Sequence, residues 1–253
     1  MGEIRVLLAG ESWVSNSTHF KGWDFFSSTV YEVGTEYLEG ALRGSDIVLE
    51  HLPSHVAAAR FPLTLDELNA YDVVILSDIG ANTLLLHPDT WLKGKSVPNR
   101  LKLLKTWVEN GGGLAMAGGY LSYAGIYASA KYYRTAIEDI LPVNIHTFDD
   151  RVEVPEGIIT EVVNAEHPIL DGIKGDYPAL LGYNETTLKP DAELLLKTGD
   201  HPLLAVRNVG QGRTLTWASD IGPHWCPLPF LTWDGYARLW QQAIRWLAVG
   251  QST

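Results

Sequence analysis

Asn110-Gly-Gly-Gly-Leu-Ala-Met-Ala-Gly-Gly-Tyr-Leu-Ser-Tyr-Ala-Gly125 joins a helix end, a buried strand and a glycine-hinged turn without a break. In α/β enzymes such a turn is where a nucleophile is often held. The elbow needs small residues on both sides because its backbone is strained and its amides must approach the substrate. Here the apex, Gly118-Gly119-Tyr120, carries neither Cys nor Ser. The stretch therefore points to an architecture and to the place of a pocket, and away from the reaction that the architecture first suggests.

Working outward, Ile4 to Ala9 is an apolar run ending at Gly10-Glu11-Ser12, the pattern of a first parallel strand buried on both faces. Ser12 to Asp24 reads as a polar and aromatic loop. Val30, Val33, Tyr37, Leu38, Ala41 and Leu42 recur at helical spacing from Ser28 to a stop at Gly44. Ile47 to Leu52 is the second strand, and Val73 to Ser77 another buried one, ending in Asp78. Between them Thr64-Leu-Asp-Glu67 forms a capping box, whose hydroxyl and carboxylate satisfy free amides at a helix start. A helix follows over about Asn99 to Glu109, with Leu101, Leu104, Trp107 and Val108 on one face. Leu114 to Ala117 feeds the opening turn.

Tyr132 to Ile140 predicts a further helix, ended by Pro142. The texture then changes. Arg151 to Val154, Ile158 to Val163, Ala192 to Lys197 and Leu203 to Val206 are short strand-like pieces, a β-rich extension over about 145–210. Asn208-Val-Gly-Gln-Gly212 is a hairpin turn into the last buried strand, Thr214 to Ala218. Trp233 to Val249 closes the chain as an amphipathic helix, with Tyr236, Leu239, Trp240, Ala243, Ile244 and Leu247 inward. The alternation predicts a single α/β domain over 1–253, its mostly parallel sheet covered on both sides. Ligands of such sheets bind beyond the carboxyl ends of the strands. The residues there are Glu11, Ser12, Asp78, Gly118 to Tyr120 and Ser219 to His224.

Bulk properties narrow the function. With 253 residues, 46% hydrophobic and 19% charged, the chain can bury a sizeable core. No apolar run reaches the roughly 18 residues of a membrane span, and no leader pattern precedes the first strand. The expected compartment is the cytoplasm. One cysteine, Cys226, excludes an internal disulfide framework. A net charge of -11 without a basic cluster argues against nucleic acid, whose affinity rests on Lys and Arg at phosphates. Nine Trp and eleven Tyr exceed the needs of a core and suit a subunit interface, so a homo-oligomer is expected.

Three motifs together carry a resemblance: Gly111-Gly-Gly-Leu-Ala-Met-Ala-Gly-Gly-Tyr-Leu-Ser122, Asn164-Ala-Glu-His-Pro-Ile169, and Gly210-Gln-Gly-Arg-Thr-Leu-Thr-Trp-Ala-Ser-Asp220. The chain resembles the class I glutamine amidotransferase-like superfamily over nearly its whole length, most closely a branch related to trehalose-utilisation-type proteins. The resemblance implies a flavodoxin-like, doubly wound sheet with the elbow at its centre. Members active on glutamine use an elbow Cys with a late His-x-Glu: the Cys attacks the amide, the His moves protons and backbone amides hold the oxyanion. This chain has Gly118 and Gly119 at the elbow and Ser219-Asp220-Ile221-Gly222 after the late strand. Glutaminase chemistry by that triad is not expected.

What remains is a set of candidates around the predicted mouth. Asp220 and His224, with Glu11, could form acid-base groups, or donate to zinc together with Glu11 or His19; no HExxH-like spacing supports a metal, and no metal or cofactor is assigned. Ser12, Trp13, His19, Asp78, Gly118, Gly119, Tyr120 and Trp225 are the candidate ligand-binding residues. Trp13, His19, Trp23, Tyr120 and Trp225 suit a sugar or another flat polar ligand, and equally a subunit interface. Cys226, two residues from His224, reads as a packing residue, Ser122 as a helix-start residue, and His167-Pro168-Ile169 as a strand end and turn. Three functions compete: an inert amidotransferase-like domain binding a small polar, possibly carbohydrate-related ligand; a hydrolase or isomerase using Asp220, His224 and Glu11; and an oligomeric scaffold. No membrane partner is expected.

Overall fold

The computed structural model describes residues 2–251. The chain opens with β1 (Ile4–Gly10), a hairpin of β2 (Ser12–Lys21) and β3 (Asp24–Val33), and helix α1 (Glu36–Leu42). Then come β4 (Ile47–Leu52), α2 (Ser54–Arg60), α3 (Leu65–Leu68), β5 (Val73–Ser77), α4 (Ala81–Leu85), α5 (Pro88–Lys93), α6 (Arg100–Glu109) and β6 (Gly113–Ala117). The second half holds α7 (Ala136–Ile140), β7 (Val143–Ile145), β8 (Arg151–Ile158), β9 (Glu161–Val162), β10 (Leu180–Asn184), β11 (Thr186–Leu188) and β12 (Glu193–Thr198). It ends with β13 (His201–Val209), β14 (Gly212–Trp217), α8 (Leu228–Leu231) and α9 (Asp234–Ala248).

One eight-stranded sheet, ordered β4-β1-β5-β6-β14-β13-β12-β9, dominates. Its first five strands are mutually parallel. Counted in chain order among themselves they run 2-1-3-4-5, the flavodoxin-like order. The β-rich extension supplies β13, β12 and β9 as an antiparallel flank.

β5 and β6 are buried at every residue, which is why they read as unbroken apolar runs without alternation. Successive side chains of β1 and β5 go to opposite faces. Val6, Leu8, Val73 and Ile75 meet Leu38 and Leu42 of α1 and Leu239, Trp240 and Ile244 of α9. Leu7, Ala9, Val74 and Leu76 meet Ala57 of α2 and Leu101, Leu104, Trp107 and Val108 of α6. At roughly 1.5–3 kcal/mol for each fully buried large apolar side chain, these two layers supply the main driving force.

The helix ends follow the sequence. The Thr64 hydroxyl and Glu67 carboxylate make the expected capping box, and Asn99 Oδ1 accepts the amides of Leu101 and Lys102, both at 3.1 Å, at the start of α6.

The largest departure lies between Ser12 and Val33. The expected loop and early helix are a ten-pair antiparallel hairpin, in register from Ser12↔Val33 to Lys21↔Asp24, and helix begins only at Glu36. The Phe, Thr, Val and Tyr residues of β3 favour strand, and Gly22, at φ +69, supplies the two-residue turn. α7 is also shorter than expected, because Arg134 takes φ +56 and cannot sit in a right-handed helix. β10 was hidden by its glycine. A Cβ on Gly182 would stand 2.4 Å from the Trp225 ring, so that position is small to let the indole lie against the strand.

Candidate functional site

At the carboxyl end of the parallel strands a cavity of about 500 Å³ opens, lined by Glu11, Trp13, Asp78, Tyr120, Asp220 and His224 with neighbouring loop residues. The glycines of the elbow beside it leave no room for a side chain. A Cβ on Gly118 would stand 2.5 Å from the Ala218 carbonyl oxygen. One on Gly119, at φ +137, would stand 2.9 Å from Asp78 Oδ1 and 3.1 Å from Asp220 Oδ1. Two carboxylates thus flank the point from which a nucleophile would project.

The amides of Gly119 and Leu121 in the elbow are also engaged. Gly119 N donates to Asn184 Oδ1 at 2.9 Å, and Leu121 N to Asp78 Oδ1 at 2.7 Å. Asn184 Nδ2 returns bonds to the Gly119 carbonyl (3.2 Å) and to Asp150 Oδ1 (2.8 Å). Asp150 in turn accepts the amides of Ala124 and Gly125, both at 2.9 Å. A buried Asn–Asp pair therefore sets the turn, and these donors are not free for an oxyanion.

Each acidic residue is swung over the cavity by the loop that follows its strand. Glu11 and Asp78 take φ +46 and +43, a conformation that costs a non-glycine residue of order 1–3 kcal/mol and that the surrounding structure must hold. Glu11 N donates to the Ser77 carbonyl at 3.0 Å, Gly34 N to the Glu11 carbonyl at 2.9 Å, and Asp78 N to Ser122 Oγ at 3.2 Å. Glu11 Oε1 accepts from Ser77 Oγ. Asp220 Oδ2 accepts from His224 Nδ1 at 2.8 Å and from Trp225 N at 3.0 Å.

Burial, then the charges of Asp78 and Asp220, push the Glu11 carboxyl well above its ordinary range. Burial first, and the Asp220 charge, also raise Asp78. At His224 burial favours the neutral ring, but the Asp220 hydrogen bond and charge, with Glu153 and Asp78, outweigh it and raise the imidazole.

The side wall is aromatic. The Tyr120 ring meets the His224 ring edge-on at 4.6 Å and the Trp225 ring at 5.8 Å. Glu153 fixes both partners, accepting from Tyr120 Oη at 3.0 Å and Trp225 Nε1 at 2.8 Å. The Arg151 guanidinium lies over Tyr120 at 4.7 Å.

Of the residues expected at the site, Glu11, Trp13, Asp78, Tyr120, Asp220 and His224 line the cavity. Gly118 and Gly119 do not: Gly118 packs against Ala218 and Asn184, and Gly119 against Asp78 and Asp220. Trp225 is buried behind the wall. Ser12 does not line it: its Oγ accepts Ser54 N at 2.8 Å at the start of α2. His19 stacks on Phe26 at 4.6 Å, far out on the hairpin, and Trp23 sits at the hairpin tip. A set joining His19 to Asp220 and His224 is thus not assembled, and among the described residues no group of three His, Cys, Asp or Glu is placed to hold a metal ion. Cys226 is fully buried, and burial drives its thiol far up. Ser122 supports Asp78, and His167 Nδ1 accepts Ile169 N at 3.2 Å, capping its turn. Glu153, Arg151, Asn184 and Asp150 were not foreseen. They come from the β-rich extension, and no spacing ties them to the elbow.

Fold and site together define a class I glutamine amidotransferase-like domain with a glycine elbow. The chain belongs to the family described as "Putative glutamine amidotransferase", whose model matches residues 5–249. Two solved structures from Salmonella typhimurium are similar throughout. Cytoplasmic Protein STM3548 is 43% identical with TM-score 0.93, covering 96% of this chain and 98% of that one. Cytoplasmic Protein STM1381 from strain LT2 is 38% identical with TM-score 0.92, covering 96% and 99%. A "Putative thua-like protein" from Bacteroides uniformis shares the fold at 14% identity and TM-score 0.57, covering 97% and 91%. No curated protein matches the chain. Among the described residues no helix is long and apolar enough to cross a membrane.

Proposed function

We propose that the elbow cavity binds a small polar ligand and moves protons on it, with Glu11, Asp220 and His224 as acid-base groups and without a covalent intermediate. The observation that carries this is the convergence of all three on one cavity. Glu11, whose carboxyl burial pushes well above its ordinary range, serves as the acid. His224, oriented through Nδ1 by Asp220, presents its other nitrogen as the base. Among the described residues no hydrogen bond reaches Glu11 Oε2, Asp78 Oδ2 or Asp220 Oδ1, the other oxygens of carboxylates that are already bonded. Acceptors on Asp78 and Asp220, with the Glu11 carboxyl as a donor when protonated, beside Trp13 and Tyr120 fit a ligand whose hydroxyls both donate and accept, in keeping with a carbohydrate-related compound. The glycine elbow without room for a nucleophile, and the engaged amides of Gly119 and Leu121, support the absence of glutaminase chemistry. The names of the Salmonella proteins support a cytoplasmic setting.

Calorimetry against sugars, polyols, amino acids and glutamine tests the reading, followed by product analysis on each binder. Turnover of a hydroxylated ligand that H224A and E11Q abolish supports it. Binding without turnover reduces the site to the inert ligand-binding domain, a reading favoured by the missing nucleophile. Hydrolysis of glutamine would overturn both.

A further inference from the structure

The hairpin β2–β3 has almost no cover. All ten residues of β3 are exposed, as are most of β2, and its large apolar side chains include Phe20 (77% exposed), Trp23 (102%) and Phe25 (69%). An isolated two-stranded hairpin is marginal in water, and an apolar surface of this extent on a lone chain marks an interaction site.

The arm's side-chain pattern indicates what covers it. Cross-strand partners share a face. One face carries Val14 and Tyr31 at the root, Asn16, Thr29, Thr18 and Ser27 in the middle, and Phe20 and Phe25 at the tip. The middle groups already satisfy one another: Thr29 Oγ1 donates to Asn16 Oδ1 at 2.7 Å, and Thr18 and Ser27 hydroxyls pair at 3.0 Å. They can be covered at little desolvation cost. At the root, Tyr31 meets His55 edge-on at 5.2 Å. His55 belongs to an apolar groove of about 470 Å³, which Ala58, Thr83, Leu86 and Trp91 also line. Leu86 and Trp91 are themselves exposed.

Bulky tip, small paired middle, and apolar root with a groove form a sequence of features that complements its own reverse. This is what a two-fold interface requires, since the same patch is used on both subunits. We propose that the arm docks on a second copy of this chain, the two hairpins crossing antiparallel near the Asn16–Thr18 level, with Phe20, Phe25 and Trp23 of each copy on the other's root and groove. Val14 to Phe20 spans about 20 Å at ~3.3 Å per residue, so a crossing at mid-arm brings each tip to the opposite root. At roughly 150–250 Å² per aromatic, three tip residues contribute about 600 Å² per copy. The root and groove carry this to the ~800 Å² per partner of a standard interface.

The test is the mass in solution by analytical ultracentrifugation over a dilution series. The wild-type chain is expected as a dimer or an even multiple. The exposed substitutions F20S with F25S at the tip, and W91S in the groove, should each halve the mass while leaving the circular dichroism spectrum unchanged. As a second measurement that leaves the aromatics intact, S27C near the axis should form an intermolecular disulfide with diamide as oxidant, whereas D24C at the tip should not pair with its own copy. Buried Cys226 does not compete. A monomeric wild-type chain, an oligomer indifferent to both tip and groove variants, or cross-linking through D24C instead of S27C would each overturn the proposal.

Discussion

His224 Nδ1 lies 2.8 Å from Asp220 Oδ2, and the same oxygen takes the Trp225 amide at 3.0 Å. The carboxylate therefore holds both the imidazole and the backbone that carries it, at a residue whose φ is +133. The relationship fixes the ring's tautomer and leaves Nε2 without a hydrogen bond among the described residues.

Asp220 should accordingly control the titration of His224. The imidazole titrates above the ordinary ~6.5 in the wild-type chain, and D220N should lower it. Because the folded value is raised, this pair's contribution to stability is complete below the unfolded value and is lost as pH rises through the folded one. Histidine proton shifts followed by NMR across pH 5–9 check this; an unchanged midpoint in D220N would show that the hydrogen bond does not set the charge.

Glu11 carries the opposite kind of cost. Its folded carboxyl is raised by burial and by Asp78 and Asp220, so the native state binds a proton more tightly than the unfolded chain. Stability then falls as pH climbs from the unfolded value toward the folded one, by about 1.4 kcal/mol per unit of displacement. E11Q removes that penalty while its amide oxygen still accepts from Ser77. Melting curves should show E11Q above wild type at pH 8, by about 3–6 °C per unit of displacement, and converging with it near pH 4. A wild-type chain that matches E11Q at both pH values would place an ionised carboxylate in the cavity.

Much of this was legible in the chain and some was not, for physical reasons. Strands such as Val73–Ser77 and Gly113–Ala117 announce themselves because burial on both faces excludes polar residues. Glu11 and Asp78 directly follow buried strands and Asp220 comes three residues after one, so the sequence could place all three at the carboxyl edge where the cavity lies. The arm was misread since Val30, Val33 and Tyr37 fit a helical period by coincidence, while both of its faces lack the alternation that a half-buried strand would show. Glu153 and Asn184 were invisible because a side chain that crosses from a distant strand leaves no local pattern.

Gly119 tests the closed elbow. A methyl group there would press on Asp78 Oδ1 and Asp220 Oδ1 at a φ of +137 that alanine avoids. G119A should cost about 1–3 kcal/mol from backbone strain alone, lowering the melting temperature by roughly 2–4 °C per kcal/mol for a chain of this size. G119C should be destabilised comparably and should gain no glutaminase activity in an ammonia-release assay. A stable, active G119C would mean that the elbow tolerates a nucleophile.

Arg100 provides the last prediction, and it joins the core to the arm. The residue opens α6 yet is wholly buried, and desolvation lowers its guanidinium to about 10. Its nitrogens donate to the carbonyls of Leu84 (2.5 Å) and Thr83 (3.2 Å) in α4, and of Ala57 (3.1 Å) and Ala58 (2.9 Å) in α2. These are carbonyls near helix carboxyl ends, which run short of later helical partners and attract positive charge; among the described residues only that of Ala57 also accepts a backbone amide, from Phe61 at 3.1 Å. R100M keeps most of the volume but leaves several buried acceptors unpaired, at about 1–3 kcal/mol each for those that find no water. The expected loss is about 3 kcal/mol, read by urea denaturation. R100K, with a charge but no fork, should fall between. Because Ala58, Thr83 and their neighbours form the groove beside the arm, R100M should also weaken self-association at concentrations where the chain remains folded. Sedimentation at matched folded fraction measures this, and unchanged association in R100M would show that the groove's shape does not depend on the buried guanidinium.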